Sequence, residues 1–548
     1  MGIYLNPGKN AFEEGLNSEI FVDKTEMICY INSVVKTEQK YVCVSRPRRF
    51  GKSMAVKMLC AYYSYGADSR SLFEKCKVSK KETSWDKYLG AFDVIRLVMT
   101  DFMQDSGSVT DALEYLSDEI ISELEKEYPE VQYGRRRNLR TMMGRIHDCT
   151  NKQFVVVIDE WDAIFREYKE DKEGQKKYLD FLRDWLKDKE YVALAYMTGI
   201  LPIKKYGKHS ALNMFDEYSM TFPMQLAEYA GFTEKEVMAL CREYGRDFEY
   251  IRAWYDGYRA KDIIPPDPGH KQFLASGKSP EGITYSLYNP LSVVKAMRSG
   301  IVNNYWNETE TYEALKQYID WDFEGLREDV AILMDGGHVS VDITGYQNDM
   351  TTFHSKDDIL TMLIHLGYLG YDSDAGKVFI PNQEVRQVFK SSTTDRDWKV
   401  TFQAIDNSRK LLEATWACDQ EVVADLLELA HDKAGNKTYH SEAGLSHAVQ
   451  LAYYAAQDIY TIIPELDTGK GYADLAFIPK KPDIPAMLIE LKYEEDAETA
   501  IAQIHRQKYP DRLQLYKGNI ILVGINYSRT VSNKDVEFKH HSCLIERA

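Results

Sequence analysis

No stretch of this chain approaches the ~20 consecutive apolar residues that a membrane-crossing helix needs, and no basic-then-apolar leader opens it. The expectation is a cytoplasmic protein with no membrane partner. Cysteine is sparse, with eight in 548 residues and no C-x-x-C pair. That spacing excludes a zinc ribbon and suits a reducing compartment. Cys43 and Cys60 fall in apolar patterns and read as small core residues. Positive charge is in deficit: 68 Lys and Arg stand against 85 Asp and Glu, a formal net charge of −17. That balance excludes a general basic coat for nucleic acid, while leaving room for a local basic groove. Internal repeats, heptad arrays and low-complexity tracts are absent. The length is enough for about three or four domains.

The most informative segment is residues 41 to 53, YVCVSRPRRFGKS. An apolar strand runs into a loop that ends in glycine, lysine and serine. Gly51 lets backbone N–H groups approach phosphate oxygens, Lys52 reaches the β- and γ-phosphates, and the Ser53 hydroxyl is placed to ligate Mg²⁺. The helix that follows, from MAVKMLCAYYSY, would turn its positive end toward the same anion. The common phosphate loop has glycine where Arg46 stands. An arginine forced to positive φ there would cost roughly 1–2 kcal/mol. In return, its guanidinium, with those of Arg48 and Arg49, would add phosphate affinity. The competing reading is a basic turn that only caps a helix.

A second strand, FVVVIDE at residues 154 to 160, is apolar on both faces, as in a parallel sheet. It sets Asp159 and Glu160 at the C-terminal edge, where open α/β sheets place ligands. Asp159 would hold Mg²⁺, and Glu160 would deprotonate the water attacking the γ-phosphate. Residues 93–99 and 191–197 supply further strands, and Thr198 at the end of the latter is a candidate γ-phosphate sensor. Strands alternating with helical patterns predict a parallel sheet with crossover helices.

These motifs, with Val22-Asp23-Lys24-Thr25, Trp161-Asp162, Thr198-Gly199-Ile200, Trp254-Tyr255-Asp256-Gly257-Tyr258-Arg259 and Tyr288-Asn289-Pro290-Leu291-Ser292, resemble the AAA-ATPase-like domain of many bacterial proteins. The resemblance covers roughly residues 1 to 300. It implies an ATPase-type fold that binds ATP, and in it the arginine-rich loop is usual. Arg259 is a further candidate for contact with the γ-phosphate, in cis or from a neighbouring subunit.

Toward the C-terminus, GKGYADLAFI and AMLIELKY flank a proline-rich turn. This pair resembles the core of a PD-(D/E)XK nuclease-like domain. Glu490 and Lys492 are two apart on a strand and share a face, while Met487, Ile489 and Leu491 point to a core. Asp474 and Glu490 are hard oxygen ligands suited to Mg²⁺. Lys492 would hold or deprotonate a water and stabilise charge growing on phosphate. The resemblance adds Glu442, touching the metal through water, and Gln503 on the helix after the lysine strand. The competing reading of E-x-K is a solvated strand face with an ion pair.

Between these parts, DDILTMLIHLGYLGYD followed by KVFIPN reads as a helix and β-hairpin of winged-helix type, which would bind DNA or protein. Residues 263 to 282 read as an exposed loop, and the cations from His505 to Lys517 as either a groove or a helix face. The expected organisation is an ATPase-like P-loop domain at 1–225, a mainly helical region at 226–425 and a nuclease-like α/β domain at 426–548. The expected function is ATP hydrolysis coupled to Mg²⁺-dependent cleavage of nucleic acid, DNA before RNA, with a homo-oligomer compatible with the sequence. The alternatives are a nucleotide-dependent switch whose C-terminal domain only binds nucleic acid or protein, and a scaffold that binds no nucleotide.

Overall fold

A computed structural model of the chain describes residues 2–104, 106–203, 212–263, 282–306, 312–320, 323, 325–346, 353–393, 396–434, 442–467, 472–481, 483–507, 518–528 and 539–548. They fall into two compact units, residues 1–326 with 336–392, and residues 327–335 with 393–548. The loop expected at 263–282 and the cations from Lys508 to Lys517 lie almost wholly outside the described residues.

The first unit is built on strands β1 (Tyr41–Ser45), β2 (Asp93–Val98), β3 (Phe154–Asp159), β4 (Val192–Gly199) and β5 (Asp216–Tyr218). All neighbours are parallel, in the order β2-β3-β4-β1-β5. Strands β1, β3 and β4 are buried along their whole length, which is why they read as continuous apolar runs. The register sets Asp159 beside Thr198, and Val44 beside Thr198 on the other side. The ends of β3, β4 and β1 thus form one edge, and the phosphate loop leaves from it. Helix Lys52–Tyr63 runs back from that loop, with Val56, Leu59, Cys60 and Tyr63 in the core.

Farther along, β6 (Phe232–Thr233), β7 (Tyr258–Ile263) and β8 (Gly282–Tyr288) form an antiparallel sheet in the order β6-β8-β7. A second small sheet joins β9 (Val339–Ser340) to the hairpin of β10 (Gly370–Asp372) and β11 (Lys377–Phe379). Helix Lys356–Leu366 precedes that hairpin, capped by Ser355 and ended by Gly367 in the left-handed region. The helix and hairpin expected at 356–379 are therefore present.

The second unit holds a five-stranded sheet in the order β12-β13-β14-β15-β16. Its strands are β12 (Tyr460–Asp467), β13 (Tyr472–Pro479), β14 (Ala486–Tyr493), β15 (Ile520–Tyr527) and β16 (His541–Arg547). Only β14 and β15 are parallel to each other. Met487, Ile489 and Leu491 pack against helices Arg396–Ala417, Gln420–Ala434 and Glu442–Ala452 through Leu411, Leu427 and Leu445. Ala486 and Leu488 point the other way, onto Ile501 and Ile504 of helix Ala497–Gln507. Period-two alternation thus leaves Glu490 and Lys492 on the face covered by one short helix.

Candidate functional site

The phosphate loop takes positive φ at Arg49 (68°) and at Gly51 (85°), not at Arg46. The strain of a non-glycine residue therefore falls three positions later than the motif comparison suggests. Arg46 is fully buried, and its Nη1 donates to the carbonyls of Ser45 (2.9 Å) and Tyr218 (2.6 Å). Its backbone N–H donates to Gly199. This placement corrects the expectation that Arg46 grips phosphate: its guanidinium fastens the loop to the sheet edge. Arg48 and Arg49 do line the cavity described below.

Lys52 bends back over the loop, and its Nζ donates to the carbonyls of Arg46 (2.9 Å) and Pro47 (2.7 Å). Burial lowers its pKa to about 8, against the pull of Asp162, Asp159 and Glu160. Burial also pushes the Asp159 carboxyl up, opposed by a hydrogen bond from the Ser53 hydroxyl and by the Lys52 charge. The structure thus brings Ser53 and Asp159, more than a hundred residues apart in sequence, close together.

Glu160 has φ of 51° and meets Arg166 at 3.3 Å. Arg166 also lies 3.3 Å from Asp162. Buried Asp162 accepts the N–H groups of Ile200 (3.1 Å) and Leu201 (2.9 Å), which ties the end of β4 to the turn after β3. Thr198 is buried, and its hydroxyl donates to Val44 at 3.0 Å. That bond turns the hydroxyl proton toward β1. Arg259 pairs with Asp372 and lies over the Phe379 ring.

A cavity of about 650 Å³ opens along the loop. Its lining combines Arg48, Arg49, Lys52, Ser53, Glu160 and Arg166 with Ile20, Phe21, Tyr229, Phe232 and Leu291. Cationic and apolar aromatic side chains in one lining suit a nucleotide, with its phosphates at the loop. Arg166 and the aromatic wall were missed in the sequence. Arg166 left a trace, being four residues after Asp162 at helical pair spacing. The wall left none, since its residues come from three distant segments.

In the second unit, β13 and β14 are antiparallel, with Leu475 beside Ile489. This register sets Asp474 opposite Glu490. Asp474 accepts the Leu491 N–H at 2.7 Å. Glu490 is buried; its Oε1 accepts from Lys492 Nζ at 3.3 Å and from the Gln503 amide. Asp474, Glu490, Lys492 and Gln503 therefore converge. Gly524 makes this possible, because it neighbours Glu490 on β15 and a Cβ there would lie 2.6 Å from the Ala497 carbonyl. Its sequence signal is a lone glycine in the apolar run NIILVGI.

Burial raises the Glu490 pKa to about 8, Asp474 adds to the rise, and Lys492 opposes it. The Oε2 atom of Glu490 is buried with no hydrogen-bond partner. A buried carboxylate oxygen left open beside a second carboxylate fits a hard cation such as Mg²⁺. Among the described residues, no group of three or more His, Cys, Asp or Glu side chains is arranged to hold a metal. Glu442 opens helix Glu442–Ala452, and its side chain lies outside those described.

A loop lysine at the edge of a parallel sheet, beside an acidic strand end, defines a P-loop NTPase-type fold. Comparison with known families makes this specific. Residues 9–208 match the predicted AAA-ATPase family, and residues 444–537 the PD-(D/E)XK nuclease superfamily. The N-terminal part is thus similar to the first family and the C-terminal part to the second. Among solved structures, the Aeropyrum pernix ORC2 protein in its ADPNP–ADP complexes is 11% identical, over 70% of this chain and 97% of that one, with a TM-score of 0.26. Its ADP form is 12% identical over 74% and 99%, also with a TM-score of 0.26. A likeness of that size carries no argument about this chain. No curated protein matches it. No helix among the described residues is long and apolar enough to cross a membrane.

Proposed function

We propose that this chain hydrolyses ATP and uses its binding or turnover to regulate or drive cleavage of nucleic acid, DNA before RNA, at the C-terminal site. The work divides among an ATPase part at 1–225, a mainly helical part at 226–425 and a nuclease part at 426–548. The observation that carries the reading is the cavity whose lining gathers Lys52, Ser53 and Glu160 together with apolar side chains.

Lys52 exchanges the carbonyls of Arg46 and Pro47 for β- and γ-phosphate oxygens. Arg48 and Arg49 of the same lining add charge. Ser53 and Asp159 would hold Mg²⁺, and Glu160 takes the proton of the attacking water. Arg166 orients Glu160. At the second site Asp474 and Glu490 would hold Mg²⁺, with Glu442 reaching it through water. When bound, the metal would supply charge neutralisation and lower the pKa of a nearby water. Lys492 holds that water and steadies charge on the scissile phosphate, and Gln503 fixes Glu490.

ATP binding and phosphate release test the first half. Wild type binds and hydrolyses ATP, Lys52→Ala binds at least ~100-fold more weakly, and Glu160→Gln binds normally but hydrolyses ~100-fold or more slowly. Normal hydrolysis by Glu160→Gln would remove Glu160 as the base, and absence of ATP binding by wild type would remove the reading.

A second reading is a nucleotide-dependent switch whose C-terminal domain only binds nucleic acid or protein. The Lys492 Nζ and the Gln503 amide already bonded to Glu490 Oε1 favour it. Equal metal-dependent cleavage by wild type and Lys492→Ala would leave only this reading.

A further inference from the structure

Between helix Val109–Glu127 and helix Leu139–Thr150 the chain reads YPEVQYGRRRN, followed by Leu139 and Arg140. Four arginines thus stand within six residues of a chain whose net charge is −17. The loop is anchored. The Tyr133 hydroxyl donates to the carbonyls of Tyr128 (3.0 Å) and Leu124 (3.2 Å). Arg145 donates to the Gln132 carbonyl at 2.6 Å and lies against Gly134, whose φ is +68° and where a Cβ would come within 2.6 Å of the guanidinium. Arg137 is tied to Glu125 (3.0 and 3.1 Å) and to Asp118 (3.3 Å).

Arg135, Arg136 and Arg140 are left over. All three are exposed. None forms an ion pair with Glu130 of the same segment or with any other described acid. They flank the start of a 12-residue helix that has no acid in its first turn. Positive side chains at the positive end of a helix dipole, with the balancing acid missing, form a fixed local surplus of positive charge.

We propose that Arg135, Arg136 and Arg140 are a phosphate-backbone contact for nucleic acid on the first unit, apart from the cavity at Lys52 and from the site at Glu490. Guanidinium forks suit phosphate oxygens. Exposed arginines with no cavity behind them read charge and position, not base sequence. The choice of nucleic acid as the polyanion rests on the proposed function. An acidic protein is the outcome that would replace it.

The test is the salt dependence of binding by the full-length chain to a labelled 30-base-pair DNA duplex, read by fluorescence anisotropy in EDTA without nucleotide. Each phosphate contact adds about 0.9 to the slope of log K against log salt. The triple variant R135S/R136S/R140S is expected to lose about 2–3 from the wild-type slope, with unchanged thermal unfolding. The variant R135K/R136K/R140K, which keeps the charges, is expected to retain most of it. An unchanged slope in the serine variant overturns the proposal, as does a wild type that shows no salt-dependent binding. Polyglutamate competing as well as unlabelled duplex also overturns it. Cleavage in Mg²⁺ by wild type and Asp474→Asn, measured alongside, reads the nuclease assignment separately. Equal cleavage with a lost slope sinks that assignment alone, and an unchanged slope with cleavage lost in Asp474→Asn sinks this inference alone.

Discussion

Lys52 and Glu490 each carry an ionisable group in surroundings that favour its neutral form. Lys52 is lowered to about 8 and Glu490 raised to about 8, in both cases mainly by burial. For Glu490 the consequence for stability has a definite sign. Between the ordinary value of 4.5 and about 8 the native carboxyl keeps its proton while the unfolded one releases it. Stability therefore falls as pH rises through that window. In EDTA, Glu490→Gln should remove this slope and exceed wild type at pH 8 by on the order of a few kcal/mol. Thermal unfolding at pH 5 and pH 8 checks it, and a variant less stable than wild type at pH 8 would contradict it. The residue types at both sites were legible because the chemistry demands them at fixed spacing. The directions of the side chains were not. Arg46 and Thr198 carry the right groups at the right loop and strand end, yet both are turned to backbone carbonyls. Sequence spacing fixes where a side chain starts and says nothing of which neighbour claims its donor.

Individual elements show why an arginine-rich loop can serve where glycine is usual. The loop is braced from outside. Pro47 abuts Gly367, whose φ is +89° and where a Cβ would come within 2.8 Å of the proline ring. Phe50 stacks edge-on against Tyr258 at 5.1 Å, and the Tyr258 hydroxyl donates to Gly367 at 2.6 Å. The Phe50 carbonyl accepts the Gly231 N–H at 3.0 Å. The helix and hairpin at 356–379 thus pack on the loop that faces the cavity. Trp254–Arg259, distant in sequence from the acidic pair, thus reaches the same loop through Tyr258. Strands β1, β3 and β4 were legible as apolar runs, and β13 and β14 as alternating ones. The short β5, β6 and β9 were not, since two or three residues carry no period. At the second site the decisive element contact is helix Ala497–Gln507 against Gly524. Gly524→Ala should push that helix off β15, with an overpacking cost of about 1–3 kcal/mol, and carry Gln503 away from Glu490. Cleavage is expected to fall while the far-UV circular dichroism of the fold is kept. Undiminished cleavage would show that Gln503 does not position the acid.

Across the whole molecule, two compact units each present acids and a lysine, the first set drawn from residues about a hundred apart in sequence and the second from two adjacent strands. Each cluster has the parts needed for chemistry at phosphorus: an oxygen pair for a cation, and a lysine for developing negative charge. The most direct measurement is cleavage of labelled DNA and RNA by the full-length chain with Mg²⁺ and ATP, comparing wild type with Lys492→Ala. The account predicts cleavage by wild type that falls at least ~100-fold in the variant. Cleavage at equal rates, or none by wild type on any substrate, would contradict it.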